Sequence, residues 1–510
     1  MKPNFSAFPR RAGTAALALT LALASGCNGF LDVAPQGQLS EDAIRNDPGI
    51  AQKLVDGVYN TMYLGGFGPD IHGLQFVILT DIASDDADKG STPTDYNDAL
   101  TIDNFTLTPS NGTVNNAWTG YYQGISRANQ ALDKIALTTV PDATKNNLLG
   151  QVRFLRGYFY FNMVRLFGGV PKLDRVPTAS EIGSPQLQQR ASAADIYAFI
   201  ISDLQFAVDN LPLKGATETG RATKAAAQGL LAKVYLYQKN YQKAFDLTEE
   251  IVKGRSGTYG LFRPYADIWR TAGANSVESI FEVQAGTNAS CDNSAVNLYT
   301  VSQGPRAGGL RGWADLGFGF NNPTTDLANA YEPNDVRKNG SIIFIKPKGP
   351  TVLWDGFRVP GQDSVENSRY SYKAYHSRTK EANCGNNDYL PKNIRVLRYA
   401  EILLIHAEAA AQLGNAGAAQ SDLDAVRSRA GLAPTAPTVA NIWKERRVEL
   451  ALEHDRFFDL VRQESVTPGR IVPIFAAQGK TFVKGKHELF PIPQPQIDLS
   501  GGLLTQNPGY

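Results

Sequence analysis

Cys27 is the residue whose chemistry the sequence states most directly. It follows a basic start (Lys2, Arg10, Arg11), an apolar run over about 15–24, and the small pair Ser25-Gly26. That layout is an export leader, too short to span a bilayer as a mature helix. A leader ending at a cysteine reads as a lipoprotein signal. Cleavage before Cys27 frees its amine for an acyl chain and leaves its sulfur to take a diacylglycerol. Each buried methylene contributes about 0.8 kcal/mol, and stable anchoring takes two chains or more. Residues 1–26 are therefore expected to be removed. Residues 27–46 form a lipidated tether, so the protein is anchored to a membrane without crossing it.

The other chemically capable residues assemble into no catalytic pattern. The five histidines are His72, His376, His406, His454 and His487. None sits in His-Glu-x-x-His, there is no Gly-x-Ser-x-Gly elbow, and no glycine-rich phosphate loop follows a strand. No catalytic residue and no cofactor is expected. Asp85, Asp86 and Asp88 could hold Ca²⁺, but their spacing is not a full calcium loop, and a solvated turn is the preferred reading. Glu453, Arg456, Asp459 and Arg462 recur at helical spacing, so Arg456 is expected to pair with Glu453 and Asp459 along one face and fix helix register. Cys291 and Cys384 both lie in Gly/Asn-rich stretches. Outside the cytoplasm they could form a structural disulfide, and the absence of Cys-x-x-Cys leaves no redox or zinc motif. The 50 basic and 49 acidic residues nearly balance and do not cluster, which argues against a nucleic-acid partner.

The elements that must carry these residues are mostly helices. Apolar residues recur at helical spacing from Ile50 to Met62 and over 115–137, and a further helix is expected over 145–167, stopped by Gly168-Gly169 and Pro171. Ser192 is a plausible N-cap for the next helix, which ends near Leu211-Pro212. Two helix pairs follow, 223–238 with 241–252 and 397–413 with 416–429. Leu231, Ala232, Tyr235 and Ala244 in the first pair, and Ala407, Ala419, Leu423 and Val426 in the second, show the small/large spacing of tetratricopeptide repeats. His406 falls inside such a pair and reads as a packed core histidine. Over 253–393 Gly, Pro and Asn become dense and short strand-like runs appear at 279–284, 341–346 and 370–375. The fold class expected is mainly α: a helix-pair superhelix with an irregular, short-stranded insertion.

A series of motifs then resembles the SusD/RagB family of nutrient-binding lipoproteins. It runs from Phe30-Leu31-Asp32 and Pro35 through Trp118-x-x-Tyr121-Tyr122, Arg153-Phe154-Leu155-Arg156-Gly157-Tyr158 and Gly220-Arg221-Ala222-Thr223. It continues with Leu397-Arg398-Tyr399-Ala400-Glu401, Glu445-Arg446-Arg447-x-Glu449-Leu450 and the closing Asn507-Pro508-Gly509-Tyr510. The resemblance implies one SusD-like α domain over 47–510. Its parts would be an N-terminal helical region (47–252), a ligand-loop insertion (253–393) and a C-terminal region (394–510). It further implies a lipoprotein on the outer face of an outer membrane. The protein would catch an oligosaccharide, or in the alternative a peptide, for a SusC-like TonB-dependent transporter, and would not be an enzyme. A helical-repeat scaffold that binds only proteins is the competing reading from another class.

Within that expectation the ligand residues are inferred from ring chemistry. A sugar presents polarised C–H bonds that stack on an aromatic plane, and its hydroxyls need nearby polar groups. Trp313, with Arg311, Asp315 and Phe318 around it, offers a ring, a cation and a carboxylate on one glycine-rich loop. Tyr96 and Trp354 are second choices. Trp118, Tyr121 and Tyr122, at helical spacing, read as core.

Overall fold

The computed structural model describes residues 44–45, 47–287, 291, 294–306 and 317–510. Cys27 and the trio Arg311, Trp313 and Asp315 lie outside the described residues. The helices start where the sequence offers caps. Asp47 caps α1 (Pro48–Tyr59) by accepting from the Gly49 amide, and Asn111 caps α2 (Gly112–Leu137) by accepting from Val114. α3 (Asp142–Phe167) stops at Gly168, whose φ of +73° few other residues tolerate. Ser192 caps α4 (Ala193–Asn210), as its sequence position suggests. α5 (Lys224–Tyr237) and α6 (Tyr241–Val252) follow, capped by Thr223 and Asn240.

α7 (Tyr399–Gln412) and α8 (Ala416–Arg429) form the second pair, followed by α9 (Val439–Glu449), α10 (Arg456–Val466) and α11 (Ile471–Ala476). The mainly α architecture expected from the sequence is the one observed. Helices approach where residues are small. A Cβ on Gly124 of α2 would lie 2.8 Å from the Phe159 ring of α3, so only glycine permits that spacing. Ala232, Ala244 and Ala409 share one cluster with Leu236 and Ile405, and Ala407, Ala419, Leu423 and Val426 share another with Leu404 and Ile442. Trp118 and Tyr121 are buried in the main core, and the Tyr122 hydroxyl donates to the Pro171 carbonyl at 2.8 Å.

The described strands form short antiparallel pairs: β1 (Ala87–Gly90) with β3 (Phe320–Pro323), and β2 (Ser279–Val283) with β8 (Ile394–Arg398). β4 (Ile342–Phe344) pairs with β7 (Arg369–Ser371), and β5 (Thr351–Val352) with β6 (Arg358–Val359). The helix expected from residue 397 therefore begins later. Leu397 and Arg398 close the β2–β8 ladder first, because the extended backbone there lets Arg398 reach Glu278, Glu449 and Glu453. Cys291 and Cys384 are joined by a disulfide, their Cα atoms 5.5 Å apart and 93 residues apart in sequence.

A charged frame is buried among the C-terminal helices, and its pairing differs from the sequence expectation. Arg456 does not pair along its own helix. It grips Asp85 through Nε and Nη2 at 2.6 and 2.7 Å, 371 residues away. Glu453 lies before α10 and pairs with Lys373 (2.6 Å) and Arg398 (2.7 Å). Asp459 does meet Arg462 one turn on, at 3.1 Å, and also takes Arg446 at 2.6 Å. Glu449 accepts from Arg337, Arg398 and Arg429 together. Against the desolvation that burial imposes, Arg429, Arg398, Arg337 and Lys373 hold its carboxyl well below the usual range. His406 is buried as expected, stacked on Phe245 at 4.3 Å, with Nδ1 bonded to Asp422 at 2.5 Å.

Candidate functional site

The β1–β3 ladder builds a tight corner. Gly90 takes φ +67°, and a Cβ there would lie 2.4 Å from the Gly319 carbonyl oxygen. Past it the chain turns through Ser91 (φ +53°) to Tyr96 (φ +46°). Two non-glycine residues in the left-handed region within one turn mark a backbone held by its surroundings. The Ser91 amide donates to Gly319 at 2.7 Å, and Lys89 Nζ donates to the Thr92 and Asp95 carbonyls at 2.7 and 2.9 Å. Arg306 ion-pairs with Asp95 and donates to Ser91 Oγ at 3.1 Å. Where the described chain resumes, Phe318 donates its amide to Val301 at 2.9 Å and Gly319 donates to Gly304 at 2.9 Å. Both described ends flanking 307–316 are thus fixed near the 91–95 turn.

Tyr96 stands on this corner as a fixed ring. Its hydroxyl donates to Gln75 Oε1 at 2.7 Å and accepts from Thr113 Oγ1 at 3.1 Å, and burial pushes its pKa up. Edge-to-face contacts join it to Phe320 (6.2 Å between centroids) and to Phe67 (5.9 Å). Phe67 is 61% exposed. Its backbone is pinned in turn, because Asn116 Nδ2 donates to its carbonyl at 3.0 Å and Gln75 Nε2 donates to the neighbouring Gly66 carbonyl at 2.8 Å. The result is a preorganised apolar surface edged by Asn116, Asp95 and Arg306. It can accept a flat or C–H-rich ligand face and offer polar atoms beside it.

Of the residues singled out in the sequence, the structure brings Tyr96 to this corner and places Phe318 beside it, half-buried against the main core. Trp354 belongs to a different cluster. It lies between β5 and β6, with the Arg270 guanidinium 4.1 Å from its ring centroid, while Asp355 accepts from the Tyr375 hydroxyl at 2.7 Å. Phe67 was missed by sequence reasoning. Its signal is an aromatic set among glycines, Gly65-Gly66-Phe67-Gly68, where a ring has little local core to fill.

The acidic run is not a solvated turn. Asp85 and Asp86 are buried and neutralised by Arg456 and Arg447, while Asp88 is half-exposed, 3.5 Å from Lys480. Desolvation pushes Asp86 up to about 6 despite Arg447, with the Asp85 charge adding to the rise. Among the described residues no group of three or more His, Cys, Asp or Glu side chains is arranged to hold a metal.

Comparison with known proteins places the chain as a whole. The SusD family model matches residues 350–510, and a model described as starch-binding associating with outer membrane matches residues 29–236. The chain belongs to the SusD/RagB family. It is 27% identical to SusD-like protein P2 of Formosa agariphila over 95% of this chain and 97% of that protein. A laminarin binding SusD-like protein of known structure superposes with a TM-score of 0.75 at 29% identity, covering 91% of this chain and all of that one. Surface glycan-binding protein A from Bacteroides uniformis gives a TM-score of 0.75 at 26% identity, covering 90% of this chain and 99% of that one.

Proposed function

We propose that this protein is a non-catalytic glycan-binding lipoprotein of the outer membrane. It takes an oligosaccharide on the Phe67–Tyr96 corner and passes it to a SusC-like TonB-dependent transporter. The observation that carries the reading is Phe67, a large ring 61% exposed yet held by a fixed backbone and the half-buried Tyr96. An exposed ring on a fixed backbone offers a flat apolar face that a sugar ring can cover without the chain rearranging. The names of the relatives support the choice of glycan. Trp313, with Arg311 and Asp315, is carried as a further ligand-binding candidate on the chemistry of its side chains. Cys27 is assigned as the lipid attachment point that holds the site at the cell surface.

Isothermal titration of the mature protein against neutral oligosaccharides tests the reading. Saturable binding that weakens in Trp313→Ala and in Phe67→Ala is the expected result. Silence across the glycans, with binding of peptides instead, would replace it. Replacement of Cys27 by Ser should leave the protein in the soluble fraction and without incorporated palmitate.

A further inference from the structure

A cavity of about 420 Å³ lies among α9, α10 and α11. Four cations line it, Lys444, Arg447, Arg456 and Arg470, against two carboxylates, Asp85 and Asp326. The carboxylates are already engaged. Asp85 takes Arg456 at 2.6 Å and Arg447 at 3.0 Å, and Asp326 takes Arg447 at 2.6 Å. The remaining cations have no such partner. Arg470 lies over the Trp443 ring at 5.0 Å, and neither it nor Lys444 makes an ion pair among the described residues. Lys444 feels Glu332 only at longer range, and Glu332 is itself bonded to Arg427 at 2.7 Å.

Charge and shape point the same way. With Asp86, bonded to Arg447 at 2.7 Å behind the lining, counted beside Asp85 and Asp326, the four cations still exceed the carboxylates by one. Arg456 is nine-tenths buried, so its field is screened less than that of a surface residue. Arg447 and Arg456 bind their carboxylates through Nε and Nη2, which leaves the Nη1 donors uncommitted. Guanidinium groups held by neighbours are preorganised for planar or tetrahedral oxyanions. Pro473, Ile474 and Ala477 supply an apolar wall. The volume suits a group of monosaccharide size.

We propose that this cavity is an oxyanion site, taking the carboxylate or sulfate group of a small acidic saccharide. It is separate from the Phe67–Tyr96 corner and does not depend on what that corner binds.

The test is isothermal titration of the mature protein with sodium glucuronate, glucose 6-sulfate, sodium sulfate and uncharged glucose at constant ionic strength. Glucuronate or glucose 6-sulfate should bind saturably and glucose should not. Loss of one charge-assisted contact in Arg470→Gln should weaken that binding about tenfold or more. Lys444→Gln, at an exposed position, should weaken it several-fold with an unchanged thermal midpoint, which keeps the test valid if Arg470→Gln folds poorly. Phe67→Ala should leave it unaltered. No saturable heat from either acidic saccharide overturns the proposal, and so does binding undiminished in both variants. Binding of inorganic sulfate alone overturns the saccharide assignment.

Discussion

Glu449 and Phe67 stand for two ways of building a fixed surface. Glu449 is wholly buried and is gripped by three guanidinium groups from three separate segments. Phe67 is mostly exposed and meets Tyr96 only by a ring edge. In the charged frame each group is held by partners that it neutralises, so removing one leaves the others buried and unpaired. At the corner the rigidity lies in the backbone: left-handed residues, main-chain bonds to Gly319, and side-chain amides bonded to carbonyls. The exposed ring is then free of structural duty. A ligand surface can change in one case and not in the other.

The largest effect that would test this contrast is at the frame. Glu449→Ala should cost about 3–5 kcal/mol in urea denaturation, because Arg337, Arg398 and Arg429 lose their shared counter-charge. A loss below about 1 kcal/mol would mean the frame is not held as described. The same carboxylate sets a pH dependence. Its folded pKa is depressed, so its contribution is present above the unfolded value near 4.3 and is lost as pH falls below it. Asp86, pushed up to about 6, acts oppositely: its cost is full above pH 6 and vanishes below about 4. Acid unfolding monitored by circular dichroism should therefore begin below about pH 4, and Asp86→Asn should raise stability at pH 7 relative to pH 4.

Next in size is the disulfide. Reduction, or the paired change of Cys291 and Cys384 to Ala, should cost about 2–4 kcal/mol through the released 93-residue loop, read as a shift in denaturant midpoint.

The corner should respond in the reverse sense. Phe67→Ala should change stability by no more than about 0.5 kcal/mol yet weaken oligosaccharide binding roughly three- to tenfold. A stability loss larger than the binding loss would make Phe67 a core residue. On binding the smallest effect is expected at Trp354. Its removal forfeits a half-exposed contact with Arg270, about 0.5–1 kcal/mol, and should leave glycan affinity untouched. A drop in affinity there would extend the ligand surface beyond the corner.

The sequence by itself determined the local events. Ser192 and Asn240 cap helices because a side-chain oxygen reaches amides three residues on, and Gly168 ends one because its left-handed φ of +73° is one that glycine adopts without strain. The helix-pair spacing was readable for the same reason. Partner choice was not. Arg456 could satisfy its charge with Glu453 or Asp459 on sequence grounds, yet it turns to Asp85, which the fold brings into reach while Glu453 is taken by Lys373 and Arg398. Leu397-Arg398 carries helix-compatible residues and is a strand because β2 lies alongside. Phe67 became part of the candidate site only when the 91–96 turn set Tyr96 against it. Short-range bonds are written in adjacent residues, whereas burial makes every charge seek a counter-charge wherever packing supplies one, and that supply is a property of the folded chain alone.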